Sequence, residues 1–361
     1  MRYSIAGESH GPKITVIIED VPAGIPLTEK AINYELKRRS AGIGRSERQD
    51  AESNKCFISA GVINEKTIGS PVCIEINNDV RDYDEDEDKF PRPGHADLNG
   101  VIKYNFDDCH NVAEMFSARK TAGICAAGVI AKEMLGMLGC EVYSYVTSIG
   151  SVSTNFKDLP SMTDIAMSEL MCPDAGATKK MIAQIERAKD AGDTLGGSFK
   201  LIGVGTVPGI GNKINSKFMG AISSIPTIRG VMLGDAEYMS QNVGSSVVDN
   251  IESDLTRSTN YSGGIEGGMT NGMPIVIGCL SRPIPTIKKN VATINLDTYE
   301  LEKHQSSRRS DVCVVPNVAV IAESQAAIVL ANEYMNKFGR DSVSEIVYAL
   351  DAYKQRIKSF K

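Results

Sequence analysis

Two of the four histidines in this 361-residue chain lie in short stretches of polar residues and glycine. His10 belongs to the sequence GESHG at 7–11, and His95 belongs to RPGHAD at 92–97. Neighbouring glycine lets the backbone approach a ligand closely. An imidazole titrates near neutral pH and can donate a proton to developing negative charge. Both histidines are therefore candidates for acid catalysis, with a purely structural role as the alternative, whereas His110 and His304 are predicted to be structural.

The arginines are clustered, although the net charge of the chain is −6. A guanidinium group binds carboxylates and phosphates through two parallel hydrogen bonds. Clusters of this kind in an acidic chain favour small anionic ligands, whereas general nucleic-acid binding needs a basic face. The alternative is that each arginine pairs with a nearby acid on the surface. The arginines concerned are Arg38, Arg39, Arg45, Arg48, Arg92, Arg119, Arg282, Arg308 and Arg309.

Three further stretches combine glycine or proline with polar residues, namely 263–272, 281–286 and 116–119. Backbone amides exposed in such loops can bind a phosphate group or the edge of a ring. The third stretch lies where a long apolar helix is predicted to begin, and a helix N-terminus favours an anion. Tight turns in a packed β structure are the alternative interpretation.

Common motifs and targeting signals are missing from the sequence. The sequence GVGTVP at 203–208 breaks the dinucleotide fingerprint, and neither a phosphate-binding P-loop nor a G-x-S-x-G elbow occurs. The eight cysteines form no C-x-x-C pair, so we expect neither a disulfide framework nor a zinc site. The acidic run 82–88 is predicted to be a solvated loop rather than a metal site. No apolar run approaches 18 residues, and the first motif leaves no room for a signal peptide, so we expect a cytoplasmic protein without a membrane segment.

The hydrophobic pattern predicts strands and helices that alternate along the chain. No repeat, linker or domain boundary is visible, so we expect one α+β domain over residues 1–361, without a Rossmann fold. The predicted strands are 14–18, 56–62, 71–76, 141–148, 199–207, 274–280 and 313–321. The predicted helices are 28–39, 119–138, 179–191, 323–338 and 343–357.

Six motifs in collinear order resemble those of the chorismate synthase family. Any one of them alone would be a weak match, but together they cover nearly the whole chain. They are GESHG (7–11) followed by VPAGIPL (21–27), RPGHAD (92–97), FSARKTA (116–122), SGGIEGG (262–268), RPIPTI (282–287) and RSDVCVVP (309–316).

The resemblance implies a β-α-β sandwich, a homotetramer, and a carbon–oxygen lyase that acts on a phosphate. The implied reaction is the anti-1,4-elimination of phosphate from 5-enolpyruvylshikimate 3-phosphate to give chorismate. This reaction is the last common step of aromatic amino acid biosynthesis in the shikimate pathway. The family requires reduced FMN, which lends an electron and recovers it. The sequence leaves open whether NADPH reduces the flavin on this protein or a separate flavin reductase does so.

The resemblance also implies roles for individual residues. His10 and His95 are implied to donate protons to the departing phosphate and to the flavin, and Asp341, in FGRDS at 338–342, to help the flavin accept the substrate proton. The implied substrate contacts are Ser9, Arg45, Arg48, Arg92, Ser117 and Arg119, and the implied NADP contacts are Arg39 and Arg45. The implied FMN contacts are Met115, Phe116, Ser117, Pro226, Thr227, Gly267, Arg282, Pro283, Ile284, Pro285, Thr286 and Arg309.

Some positions depart from the family pattern. Ser310 stands where many members have histidine, and Lys120 replaces a common glutamate. Two other classes of function remain open from the residues alone. A different FMN-binding enzyme, such as a flavin reductase, would not need the substrate arginines together with both histidines. A non-enzymatic anion-binding regulator would need the arginines but neither histidine.

Overall fold

The computed structural model describes residues 1–45, 55–78, 88–154, 159–306 and 310–360. The strands are β1 Arg2–Ala6, β2 Lys13–Glu19, β3 Cys56–Ala60, β4 Val62–Ile63, β5 Lys66–Thr67, β6 Val72–Asn77, β7 Glu141–Ile149, β8 Val152–Ser153, β9 Gly197–Val204, β10 Ile228–Leu233, β11 Ile265–Glu266, β12 Met269–Thr270, β13 Ile275–Ser281, β14 Val291–Ile294 and β15 Leu301–His304. The helices are α1 Glu29–Ser40, α2 Asp97–Tyr104, α3 His110–Met115, α4 Thr121–Met137, α5 Met162–Ala166, α6 Ala175–Asp190, α7 Ile214–Ser223, α8 Ala236–Gln241, α9 Val315–Phe338 and α10 Val343–Lys358.

Two antiparallel sheets carry the longer strands. One has the order β1-β2-β6-β3, and the other has the order β10-β13-β9-β7-β8. In β2, Ile14, Val16 and Ile18 are buried, whereas Ile17 between them is 47% exposed. This alternation is typical of a sheet that packs on one face only.

Two long helices connect the sheets. Helix α4 packs on β1, β2 and β6, helix α9 packs on β7 and β9, and the two helices pack against each other. Small residues allow this close approach: a Cβ atom built on Gly128 of α4 would lie 2.3 Å from the Cβ of Ser324 in α9. One buried cluster contains residues from both sheets and from both helices. The mixed α+β class predicted from the sequence is confirmed.

Most of the predicted elements exist, but one has the wrong type. The predicted strand 313–321 is instead the first part of α9, which begins at Val315 with Pro316 in its first turn. The run VVPNVAVI is rich in β-branched residues, and a helix that is buried on all sides shows no polar face to separate it from a strand. The predicted strand 199–207 also ends earlier, at Val204.

Helix α9 is also long and apolar enough to cross a membrane by length and composition, the one such helix among the described residues. However, 89% of its most apolar window is buried inside the structure. Its burial between α4 and the second sheet accounts for this composition.

Four charged side chains form a buried network between α1, α4 and α9. Glu323 accepts hydrogen bonds from Arg38 at 2.8 and 3.0 Å and from Lys132 at 2.7 Å. Glu35 accepts from the same two cations at 2.8 and 2.6 Å. Ser144 of β7 donates to Glu323 at 2.7 Å. Two carboxylates and two cations balance each other, and Glu323 is only 1% exposed.

We expect Glu323→Gln to lower the free energy of unfolding by about 3–5 kcal/mol, because it leaves a buried cation without its counter-charge. Chemical denaturation would measure this change. Glu186→Gln on the exposed face of α6 is the control, and it should change the same quantity by less than about 0.5 kcal/mol. A similar small effect of both substitutions would show that the network contributes little.

The same carboxylate predicts a pH dependence of stability. Burial alone would raise the pKa of Glu323, but Lys132 and Arg38 outweigh it and lower the pKa to about 2. In the unfolded chain a glutamate side chain has a pKa of about 4.3. The stabilisation is therefore fully present above about pH 4.3 and is lost as the pH falls towards 2. Over this window, stability should fall more steeply in the original protein than in Glu323→Gln.

Candidate active site

The loop that carries His10 connects β1 and β2 and is held from two sides. The side-chain amide of Asn78 donates to the carbonyl oxygens of Ser9 and Gly11, both at 2.9 Å. The Ser9 hydroxyl donates to the Ser117 hydroxyl at 2.9 Å. Gly7 opens the loop with a φ of +123°, and a Cβ atom there would lie 2.5 Å from the carbonyl oxygen of Lys13. Only glycine fits this position without strain.

Glu114 in α3 contacts His10 twice. The backbone N–H of His10 donates to Glu114 Oε2 at 2.8 Å, and the ring Nδ1 forms a short hydrogen bond with Oε1. The histidine side chain is 17% exposed and the glutamate side chain 8%. Burial would raise the pKa of Glu114, but the hydrogen bonds from His10 outweigh it, so the pKa lies below its usual value. Glu114 is therefore a carboxylate beside the imidazole.

His95 is also paired with a carboxylate, in this case together with an arginine. Its Nδ1 lies 2.5 Å from Asp97 Oδ1. Arg92 donates to both oxygens of Asp97, at 2.7 and 2.9 Å, and to the Thr286 hydroxyl at 3.2 Å. Asp97 is fully buried, which would raise its pKa, but the hydrogen bonds from His95 and Arg92 hold the pKa well below its usual range.

The two histidine–carboxylate pairs are attached to one helical hairpin. Asp97 begins α2, and Glu114 lies near the end of α3. A Cβ atom built on Gly100 of α2 would lie only 2.3 Å from Val112 Cγ1 of α3, so the two helices are in close contact. The hairpin therefore fixes the positions of both carboxylates relative to each other.

Two of the predicted anion-binding arginines, Arg92 and Arg119, lie on the segments that precede and follow this hairpin. Arg119 donates to the carbonyl oxygen of Asn77 at 2.8 Å, next to the residue that holds the His10 loop. Arg39 donates to the Thr121 hydroxyl at 2.9 Å and to the Ala118 carbonyl at 3.0 Å. Arg45 forms an ion pair with Asp311 at 2.8 Å. Arg48 and Arg309 lie outside the described residues.

Most of the predicted FMN contacts that the structure describes fall on two segments, 115–117 and 282–286. The first segment, Met115–Ser117, comes directly after Glu114 in the chain, and Phe116 in it is 44% exposed. Thr286 contacts Arg92, as above, and the carbonyl oxygen of Gly94, beside His95, accepts from Arg282 at 2.7 Å.

The segment from Arg282 to Thr286 is fixed by its neighbours. The backbone N–H of Arg282 donates to the Thr227 carbonyl at 2.9 Å, which places Pro226 and Thr227 beside it. The Thr194 hydroxyl donates to the Ile284 carbonyl at 2.7 Å, and Pro283 and Pro285 flank that residue.

Gly267 is not brought to this region within one chain. It lies in the turn between β11 and β12 and lines a mainly apolar cleft of about 750 Å³ with Met269, Tyr353 and Phe360. Gly264, just before β11, packs against Pro274, the residue before β13, whereas Arg282 follows the end of the same strand. A strand of this length spans roughly 20 Å.

Asp341 is also distant from the histidines within one chain. Its side chain is exposed, and its carbonyl oxygen accepts from the Ala23 backbone at 2.9 Å. It follows the C-terminal end of α9, whereas Asn317, near the other end, donates to the Arg39 carbonyl at 2.7 Å. A helix of 24 residues is roughly 36 Å long. The role predicted for Asp341 stays a prediction that this geometry does not favour.

Four polar residues at the site were not singled out from the sequence: Asn78, Asp97, Glu114 and Asp311. Asp97 and Asp311 lie inside quoted motifs, where a carboxylate beside histidine or arginine was an available signal. Glu114 lies two residues before the FSARKTA motif, and Asn78 lies in no motif. Among the described residues, no group of three or more His, Cys, Asp or Glu side chains could hold a metal ion.

Comparison with known proteins identifies the family of this chain. The family model described as chorismate synthase matches residues 1–335. The chain is 41% identical to the chorismate synthase of Bacillus subtilis (strain 168), over 96% of each chain. It is 38% identical to that of Desulforudis audaxviator, over 99% of this chain and 98% of the relative. A solved structure titled "Crystal Structure of Chorismate Synthase" superposes with a TM-score of 0.81 at 33% identity, over 99% of this chain and 98% of that one.

The chain is a lyase, because the proteins that it matches over nearly its whole length form a lyase family. It belongs to the chorismate synthase family, and the family predicted from the six motifs is confirmed.

The placement of the two aspartates gives a direct test. We expect Asp341→Asn to keep the single-turnover rate within about threefold, since its side chain is exposed and remote from both histidines. Asp311→Asn should lower the rate at least tenfold, because it removes the counter-charge of Arg45. Rapid-quench measurements on both variants, with melting temperatures as the control for folding, would decide. A large loss in Asp341→Asn alone would indicate that a neighbouring subunit brings this residue to the site.

Proposed function

We propose that this protein catalyses the anti-1,4-elimination of phosphate from 5-enolpyruvylshikimate 3-phosphate, giving chorismate with reduced FMN as cofactor. The observation that carries the proposal is the pair of histidines, each held by a carboxylate on one helical hairpin. Arg92 lies on the segment before this hairpin and Arg119 on the segment after it. Two of the segments that match FMN contacts adjoin it: Met115–Ser117 ends it, and Arg282–Thr286 contacts Arg92 and Gly94. A reaction that expels phosphate and removes a proton needs positioned acids and several cations, and this arrangement supplies both kinds of group.

The residues present fit an anionic, aromatic cofactor. Arg282 Nε is buried and has no hydrogen-bond partner among the described residues. Burial and the neighbouring Arg229 lower the pKa of Arg282, so an anion beside it would be stabilising. Met115–Ser117, Pro226, Thr227 and Arg282–Thr286 would hold FMN. Reduced FMN, when bound there, would supply the transient electron that the elimination needs, and the reaction would be redox-neutral overall.

The chain's own residues would bind the substrate and move its protons. Arg45, Arg48, Arg92 and Arg119 would bind the phosphate and carboxylate groups of the substrate, together with the hydroxyls of Ser9 and Ser117. His10 and His95 would donate protons to the departing phosphate and to the flavin. A charge-assisted hydrogen bond contributes about 1.5–3 kcal/mol net, and these bonds strengthen as charge develops on the leaving group.

Two routes would supply the reduced flavin. In one, NADPH binds near Arg39 and Arg45; in the other, a separate flavin reductase supplies reduced FMN. Arg39 is only 5% exposed and donates to Thr121 and Ala118, which favours a structural role for this residue over a dinucleotide contact. The second route therefore fits the geometry better.

We infer a single sandwich domain, a homotetramer and a cytoplasmic location. The packing of α4 and α9 between the two sheets supports the sandwich. Exposed apolar side chains support assembly: Val243, Ile251 and Leu255 are 70%, 69% and 37% exposed, and the last two line the cleft that contains Gly267. The eight free cysteines support a reducing compartment.

The central test is phosphate release under anaerobic conditions. We expect the protein to release phosphate from 5-enolpyruvylshikimate 3-phosphate with reduced FMN, and to release none with oxidised FMN, because only the reduced ring can lend an electron. Equal turnover with both forms would contradict the mechanism. Oxidation of NADPH without any phosphate release would instead indicate a flavin reductase.

A binding measurement tests the cofactor site independently of turnover. We expect Arg282→Ala to weaken FMN binding about tenfold to a hundredfold, since one charge-assisted hydrogen bond to an anion is lost. Lys289→Ala is the matched control, because Lys289 is a surface cation seven residues further on whose partner, Asp193, is itself 44% exposed. Titration by flavin fluorescence would measure both. An unchanged dissociation constant in Arg282→Ala would remove this residue from the site.

A further inference from the structure

We infer that Glu114 is a positioning residue that fixes the ring of His10 and keeps the transferable proton on its Nε2 atom. This inference rests on the proposed function for its catalytic meaning. The geometric part does not, because it concerns two residues of this chain whose contact is described above.

Glu114 contacts His10 through both of its carboxylate oxygens, and this geometry sets both the position and the tautomer of the imidazole ring. One oxygen of Glu114 accepts the backbone N–H of His10, and the other accepts Nδ1–H of the ring. A carboxylate can only accept here, so in the neutral imidazole the proton lies on Nδ1. Nε2 is then the nitrogen that exchanges a proton with a ligand. The backbone on both sides of His10 is also held in place. Asn78 donates to the carbonyl oxygens of Ser9 and Gly11, and the Ser9 hydroxyl donates to Ser117.

The two histidine–carboxylate pairs differ in how the negative charge of the carboxylate is balanced. Asp97 is shared between His95 and the two-armed contact of Arg92, so its negative charge is already balanced. Glu114 receives two hydrogen bonds from His10, and the charged groups that influence it are His10 itself and His110, one turn earlier in α3. Arg119 lies on the adjoining segment, and Glu8 lies on the loop. Glu114 is therefore the carboxylate better able to stabilise an imidazolium.

The proton transfer balances without any change at Glu114. The Nε2–H bond of the imidazolium breaks as an O–H bond forms on the departing phosphate, and the electron pair stays on Nε2. The ring is left neutral with its remaining proton on Nδ1, hydrogen-bonded to a carboxylate that has not changed. Glu114 touches no reacting atom and acts through His10.

The first test reads the tautomer directly. The chain has four histidines, so the imidazole nitrogen signals in an ¹⁵N NMR spectrum of the FMN-loaded protein can be assigned by substituting His110 and His304. Above neutral pH we expect His10 in the form protonated at Nδ1. In Glu114→Gln the amide can donate to Nδ1, so His10 should change to the form protonated at Nε2. The same tautomer in both proteins would overturn the inference.

The second test uses the pH profile of single-turnover phosphate release. In Glu114→Gln we expect the rate at pH 7.5 to fall about tenfold to a hundredfold, and the pH above which turnover declines to move down by about one unit or more. Lower pH should therefore recover part of the rate. Glu114→Asp keeps the charge on a shorter side chain and should restore the position of the profile.

Controls separate positioning from folding. Glu8→Gln removes an exposed carboxylate from the same loop and should leave the His10 tautomer and the pH profile in place. If Glu114→Gln melts at a lower temperature but shows the original tautomer and profile, the role is structural and the inference fails. If the original protein releases no phosphate while the tautomer still changes, the proposed function fails and the positioning of His10 stands.

Discussion

The buried network of Glu35, Arg38, Lys132 and Glu323 is the constraint on which the arrangement of the helices depends. Each carboxylate shares both cations, so α1, α4 and α9 cannot move apart without exposing an unpaired charge to an apolar interior. Arg39, in the last turn of α1, donates to Ala118 in the turn that precedes α4 and to Thr121, the first residue of α4. The network thereby sets the position of that turn, and with it of Ser117 beside the His10 loop.

The sequence was sufficient for the class of fold, for most of the longer helices and strands and for the family. Periodicity predicted α1 and α4 closely because each has one buried face or a clear stop, such as Gly139 with its φ of +76°. It failed at 313–321, where burial on every side removes the periodic signal. It also missed α2 and α3, which are short and lie among polar motifs whose composition is typical of loops.

Part of the candidate site could be predicted from the sequence. Motifs identified His10 and His95, and the structure adds why each is oriented as it is. No pattern in one sequence could pair His10 with Glu114, since 104 residues separate them and only the fold brings the hairpin against the loop between β1 and β2. Gly267 and Asp341 show the opposite limit. A motif specifies that a residue matters to a family, but not which end of a strand or helix it occupies.

The loop between β1 and β2 has a consequence for how the gene can vary. Ala6 pairs with Thr15 where the two antiparallel strands meet the loop. Within the loop, the side-chain amide of Asn78 donates to the carbonyl oxygens of Ser9 and Gly11. Loss or gain of one codon between these partners would turn the following side chains to the opposite face of the sheet or break both contacts. We therefore expect the loop between β1 and β2 to vary among relatives by substitution only. Insertions and deletions are expected to accumulate elsewhere in the chain.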